Sequence, residues 1–234
     1  ITPAPISGIA EKIYRNDSAG FITFNYADSI KNAINRGGLI VNFIGHAASQ
    51  NWELGLEDPQ TLSNGNRLPL VLSMTCFTGI NAEANFRSFG EKFVYASNRG
   101  ALGFLGTTGW SFSGSGNEIN KNIFIGLSQD TIRRLGSLVQ FANNRMVPDS
   151  SNFQVRNMIN CYNLLGDPAS KLLLPEGPEF VIGQTDYRIT DQYPLVGETV
   201  TWKIFPKNYG LFVPNCAVRF EILKQGIVIT HFSI

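Results

Sequence analysis

The chain has 234 residues, of which 43% are hydrophobic, so it can form a hydrophobic core and wholesale disorder is excluded. Its 19 basic and 18 acidic residues give a net charge of +1, which offers no argument for nucleic acid or an anionic membrane as partner. No apolar run reaches the ~20 residues of a transmembrane helix. The chain starts at Ile1 rather than Met and stops within an apolar run, so we expect it to be a piece of a longer protein.

The sequence alternates between predicted strands and helices as far as residue 174. In chain order we expect a short strand at 11–15, a helix at 26–35, strands at 38–45 and 68–75, a helix at 86–97, a strand at 101–106, helices at 117–127, 131–145 and 155–161, and a strand at 170–174. Such alternation is typical of an α/β fold with a mostly parallel sheet flanked by helices.

The composition changes after a Pro/Gly-containing linker at 175–178. Short strands follow, and Thr199, Thr201 and Lys203 alternate with apolar side chains, as in a half-buried antiparallel strand. We therefore predict two domains, an α/β domain at 1–175 and a partial immunoglobulin-like β-sandwich at 176–234, with Trp202 in the core of the second.

Two reactive side chains follow the two strands at 38–45 and 68–75. His46 comes directly after the first strand and Cys76 directly after the second. In open α/β sheets, ligands bind at the carboxyl ends of the strands. A histidine and a cysteine side by side at that edge can form a thiolate–imidazole nucleophile pair.

With these residues in place, the chain resembles the gingipain family of cysteine peptidases, which have the caspase-like fold. The resemblance covers residues 14–174. The matching segments are Phe43-Ile44-Gly45-His46 with Trp52, residues 68–76, residues 101–107 with Trp110, residues 116–120, and Leu165-Gly166-Asp167-Pro168.

The resemblance implies a cysteine-type endopeptidase, secreted or on the bacterial surface or outer membrane, that acts on protein substrates. Cys76 would be the nucleophile and His46 the proton shuttle, while the backbone N–H groups of Cys76 and Ala47 would bind the oxyanion. Ala47 departs from the glycine usual in the family. Trp52, Thr107 and Trp110 would bind substrate. The relatives also include the peptidase–transpeptidase of type IX secretion, so secretion-system components are further candidate partners.

Other interpretations of these residues stay open. Cys76 taken alone could be a buried core thiol, and Trp52 and Trp110 could be ordinary core aromatics. We expect no cofactor; a calcium site at Glu53, Glu57 and Asp58 lacks the usual dense ligand spacing. The rival function is a catalytically inactive caspase-like scaffold or adhesion protein on the cell surface.

Overall fold

A computed structural model describes residues 10–14, 25–53, 56, 58–175, 177–183, 185–190, 193, 195–208, 210 and 219–233. The chain divides into two compact units; the first comprises Ile9–Leu174, and the second includes Pro175–Ile234. The helices and strands of the first unit are, in chain order, α1 (Tyr26–Arg36), β1 (Ile40–Ile44), β2 (Ala47–Ala48), β3 (Asn51–Trp52), β4 (Leu70–Met74), α2 (Phe89–Val94), β5 (Gly103–Thr107), α3 (Ser113–Ser128), α4 (Leu135–Asn144), α5 (Phe153–Cys161) and β6 (Tyr162–Gly166).

A four-stranded sheet in the order β1-β4-β5-β6 forms the centre of this unit. β1, β4 and β5 run parallel, and β6 pairs antiparallel with β5. The predicted α/β fold with a mostly parallel sheet is therefore confirmed. No helix in the described part of the chain is long and apolar enough to cross a bilayer.

Both faces of the sheet are covered because its central strands are apolar on both sides, as is usual for parallel sheets. On one face Phe104 packs against Phe89 and Phe93 of α2. On the other face Gly103 leaves room for Leu135 of α4, since a Cβ there would lie 2.7 Å from a Leu135 methyl carbon. β4 and β5 are buried at every position, whereas the outer strand β1 leaves Ile44 59% exposed.

The helix ends follow local capping chemistry. The Asn25 side chain accepts the Asp28 N–H and begins α1, and Gly37 with a φ of 94° ends it. Ser88 and Glu91 form a capping box, so α2 begins at Phe89 rather than at the predicted residue 86. α3 begins at Ser113, four residues before the predicted start at 117, because the Ser/Gly-rich segment joins the helix.

Two predicted strands of the first unit are wrong. The last strand is β6 at Tyr162–Gly166 and not residues 170–174, where Lys171 makes only an isolated bridge to Arg134. The antiparallel return begins directly at the end of α5, so no turn residues mark it in the sequence. Residues 10–14 form no strand; instead Glu11 pairs with Arg36 at 2.7 Å.

The described strands of the second unit form three two-stranded antiparallel pairs. They are β7 (Phe180–Val181) with β10 (Lys207–Asn208), β8 (Tyr187–Ile189) with β9 (Trp202–Ile204), and β11 (Arg219–Lys224) with β12 (Ile227–Ser233). These pairs do not show the predicted immunoglobulin-like sandwich. Trp202 is 56% exposed and stacks on Tyr187 at the surface, so its predicted place in a core is wrong.

Candidate active site

The fold brings the predicted histidine and cysteine to one edge of the sheet. β1 and β4 are parallel neighbours in a register that pairs Ile44 with Met74. His46 lies two residues beyond Ile44, and Cys76 lies two residues beyond Met74. Paired strands run ~4.8 Å apart, so the two residues leave the sheet at equivalent positions. His46 is exposed and Cys76 is half-buried, which leaves both accessible from the carboxyl edge.

A short hairpin of β2 and β3 fixes the backbone after His46. The Glu53 N–H donates to the His46 carbonyl oxygen at 3.0 Å, and Ala47 pairs with Trp52. Within one peptide unit the C=O and the following N–H point in opposite directions. Because the His46 carbonyl points toward β3, the Ala47 N–H points away from it and is not used by the hairpin.

A tight turn presents Cys76 above the end of β4. Phe77 has a φ of 61°, an unusual conformation for a residue other than glycine. Its N–H donates to the Gly109 carbonyl at 2.9 Å and to Thr107 Oγ1 at 3.0 Å. Among the described residues, the neighbouring Cys76 N–H meets no hydrogen-bond acceptor. The turn therefore engages one backbone donor and leaves the adjacent one open.

Thr107 fixes this turn and does not face a substrate. Its side chain is fully buried and its hydroxyl donates to the Thr75 carbonyl at 2.7 Å, beside the contact with Phe77. The prediction that Thr107 binds substrate is wrong, because a buried hydroxyl with three backbone partners, at Thr75, Phe77 and Gly109, has no free surface. No local pattern indicates this role, since the contact joins residues 30 positions apart.

Trp52 belongs to the core beneath the site. It is 1% exposed, its ring stacks on Phe43 at 4.4 Å, and its Nε1–H donates to Ser73 Oγ at 2.9 Å. The prediction that Trp52 binds substrate is therefore wrong, and the alternative of an ordinary core aromatic is correct. Trp110, in contrast, is 68% exposed and packs edge-to-face on Phe77, next to Cys76. Its predicted contact with substrate stays a prediction.

The Cys76 sulfur also has a partner that the sequence analysis missed. The Ser111 N–H donates to Cys76 Sγ at 3.2 Å. Ser111 Oγ in turn shares a hydrogen bond of 3.2 Å with the Tyr162 hydroxyl. Burial raises the pKa of Tyr162 to about 12; the hydrogen bond to Ser111 lowers it somewhat, and the nearby Cys76 contributes a smaller increase. Ser111 and Tyr162 are 51 positions apart, so no local pattern could reveal the contact.

The other cysteines lie outside the predicted pair. Cys161 Sγ donates to Asn157 Oδ1 at 3.5 Å, and the Cys161 carbonyl accepts the Thr108 N–H. Cys216 lies outside the described residues. Among the residues that are described, no three His, Cys, Asp or Glu side chains gather as metal ligands. Glu57 falls outside that set, so the predictions about calcium and cofactors stay untested.

Comparison with known proteins gives a family and a fold. The sequence matches the family model of peptidase family C25 over residues 6–173. The structure is similar to gingipain R, an Arg-specific cysteine proteinase, with a TM-score of 0.58 and 16% identity over 89% of this chain and 47% of that chain. No curated protein matches the sequence.

Two further solved structures have the same fold. A complex of the pro- and mature domains of Porphyromonas gingivalis RgpB aligns with a TM-score of 0.57 and 16% identity over 89% of this chain and 48% of that chain. A third, described only as a protease, aligns with a TM-score of 0.53 and 13% identity over 87% of this chain and 55% of that one. The chain thus spans about half the length of the gingipain structures that it matches. Because the family match covers most of its length, the chain belongs to peptidase family C25.

Proposed function

We propose that this chain carries the Cys–His dyad of a cysteine-type endopeptidase. The observation that supports it most is the equivalent placement of His46 and Cys76 beyond paired residues of neighbouring parallel strands. Membership of a peptidase family supports the reaction type. The substrate is then a protein or peptide. The exposure of His46 and the half-exposure of Cys76 are consistent with access for an extended chain.

The chemistry follows from the two side chains. The His46 imidazole takes the Cys76 thiol proton, and the thiolate attacks the scissile carbonyl carbon. As the C–N bond breaks, the imidazolium gives its proton to the leaving amine, and a thioester remains on Cys76. Water, deprotonated by His46, then hydrolyses the thioester and releases the carboxylate and the free thiol. No cofactor takes part in these steps.

The tetrahedral oxyanion that forms in each of the two steps must be stabilised by hydrogen-bond donors beside the reacting carbonyl oxygen. The backbone N–H groups of Cys76 and Ala47 are the candidates, since the first meets no acceptor among the described residues and the second points away from its hairpin. Removing one such donor typically costs 10²–10³-fold in kcat. Alanine at position 47 keeps the donor that a glycine would supply, so the departure from the family pattern does not remove this interaction.

We also propose a location and setting for the enzyme. A secreted or surface-exposed protein, on the outer membrane of a bacterium, fits the resemblance to gingipains. A role as signal peptidase or transpeptidase in type IX secretion, with secretion-system components as partners, is the narrower form of this proposal. The strands after Pro175 are consistent with an immunoglobulin-like module as a second domain.

Cleavage of an unfolded protein substrate by the full chain tests the function. We expect new peptide N-termini, identified by mass spectrometry, with the wild-type protein and with Cys161→Ala as the matched cysteine control. Cys76→Ala should abolish cleavage, and His46→Ala should lower kcat by about 10²–10⁴-fold, the usual worth of a general acid–base. Equal cleavage by the wild-type protein and Cys76→Ala, or none by either, would instead favour the inactive scaffold.

A further inference from the structure

The Cys76 sulfur is held by a backbone donor from a separate segment. Ser111 lies in the chain between β5 and α3, and its N–H donates to Cys76 Sγ at 3.2 Å. The Cys76 thiol in turn donates to the Ser111 carbonyl oxygen at 3.8 Å. The position of Ser111 therefore bears on the direction of the nucleophile that the proposed function requires.

Tyr162 anchors Ser111 from the neighbouring strand. It is the first residue of β6 and pairs with Thr107, the last residue of β5, so it stands where the chain leaves the sheet toward Ser111. Its hydroxyl is 3.2 Å from Ser111 Oγ, and its side chain is 5% exposed. A hydrogen bond that is shielded from water in this way holds its geometry better than an exposed one.

The helices α3 and α5 also pack against the hydrogen bond between Ser111 and Tyr162. A Cβ added to Gly116 in α3 would lie 3.2 Å from both Ser111 Oγ and the Tyr162 hydroxyl oxygen. Met158 Sδ of α5 is 3.8 Å from Ser111 Oγ. The Ser111–Tyr162 pair is thus enclosed by side chains and backbone from α3, α5 and β6, rather than lying on a mobile surface.

We propose that Tyr162 and Ser111 are positioning residues for Cys76: the buried tyrosine fixes the serine, whose backbone directs the sulfur. The inference rests on the proposed function as far as catalysis is concerned. The effect on the Cys76 thiol can be measured whether or not the protein cleaves peptides. Because burial keeps the pKa of Tyr162 at about 12, its hydroxyl stays neutral throughout the range in which a thiol ionises. The hydrogen bond between this hydroxyl and Ser111 Oγ therefore persists over that pH range.

The rate of Cys76 alkylation by iodoacetamide at neutral pH, measured by peptide mass spectrometry, tests this inference. We expect Tyr162→Phe to slow alkylation of Cys76 in the folded protein by about 3–10-fold, because the sulfur is held less firmly in one direction, and to leave the rate in the urea-unfolded protein unchanged. Tyr95→Phe, which changes the exposed C-cap residue of α2, is the matched control and should keep the wild-type rate.

Ser111→Ala provides a second variant, because it keeps the backbone N–H and removes the Oγ contacts with Tyr162 and Met158. It should slow alkylation of Cys76, as Tyr162→Phe does. A wild-type alkylation rate in whichever of the two variants retains the native circular dichroism would overturn the inference, even if the protein cleaves peptides. Slower alkylation without any peptide cleavage would support the inference and contradict the proposed function, so the two failures are distinguishable.

Discussion

Replacing Tyr162 by phenylalanine should change how the stability of the first unit depends on pH. Burial raises the pKa of this tyrosine from 10.0 to about 12 in the folded chain. A group with a raised folded pKa contributes stability that is fully present below its unfolded pKa and is lost as the pH rises through the folded value. Between about pH 10 and pH 12 the wild-type protein therefore loses free energy of unfolding through this group.

The size of the effect follows from the shift. Two pKa units correspond to about 2.7 kcal/mol in total, and about half of that is lost by pH 11. Phenylalanine cannot ionise, so Tyr162→Phe avoids this loss. At neutral pH the variant lacks the hydrogen bond to Ser111 Oγ, worth about 1 kcal/mol, and is the less stable protein. The two effects cancel near pH 11, where we expect the order of stability to reverse.

Urea unfolding at a series of pH values between 7 and 11 measures this difference. The helical circular dichroism signal is the appropriate probe, because the described helices all lie in the first unit. Tyr95→Phe controls for the loss of a tyrosine as such, since Tyr95 is 64% exposed. If the stability difference between the wild-type protein and Tyr162→Phe is the same at pH 7 and pH 11, ionisation of Tyr162 does not destabilise the folded chain, contrary to this prediction.

Three further predictions concern the support of the site. Gly79→Ala should lower the free energy of unfolding, measured by urea titration, by about 1–3 kcal/mol, because the new Cβ would lie 2.5 Å from a backbone oxygen. In the control Gly114→Ala, the new Cβ would have no atom within 4 Å, so this variant should be as stable as the wild-type protein or more stable. Trp52→Ala should cost about 3–5 kcal/mol, while Trp110→Ala should leave stability within about 0.5 kcal/mol and instead change KM in a peptide assay. Ser88→Ala removes the capping box of α2 and should lower the thermal midpoint, with a loss of about 1 kcal/mol; an unchanged midpoint would contradict the role of this cap.

The sequence predicts those strands and helices whose residues carry a clear local pattern. The apolar runs that became β1 and β4 are bounded by turn residues, and their parallel pairing follows from the strand–helix alternation. This pairing is what places His46 and Cys76 at equivalent positions. β6 was missed because it follows α5 without an intervening turn and owes its strand conformation to the antiparallel ladder with β5.

The roles of individual site residues were harder to predict, because they depend on contacts between distant positions. Trp52 and Thr107 both lie beside the site in sequence, yet one is packed into the aromatic core and the other bonds to the backbone of the Cys76 turn. Whether an aromatic or hydroxyl side chain faces the solvent or the core depends on its tertiary neighbours, which periodicity alone does not specify. Ser111 and Tyr162 were missed for the same reason.

The most direct test of the Cys–His dyad is the site-resolved rate of labelling by an electrophilic peptide probe. On the full chain near neutral pH, we expect Cys76 to react at least about tenfold faster than Cys161, since the His46 imidazole can take the Cys76 thiol proton as the sulfur attacks. His46→Ala should remove that advantage and leave the rate at Cys161 unchanged. Equal labelling of the two cysteines in the wild-type protein, or a Cys76 rate that does not respond to His46→Ala, would contradict the dyad.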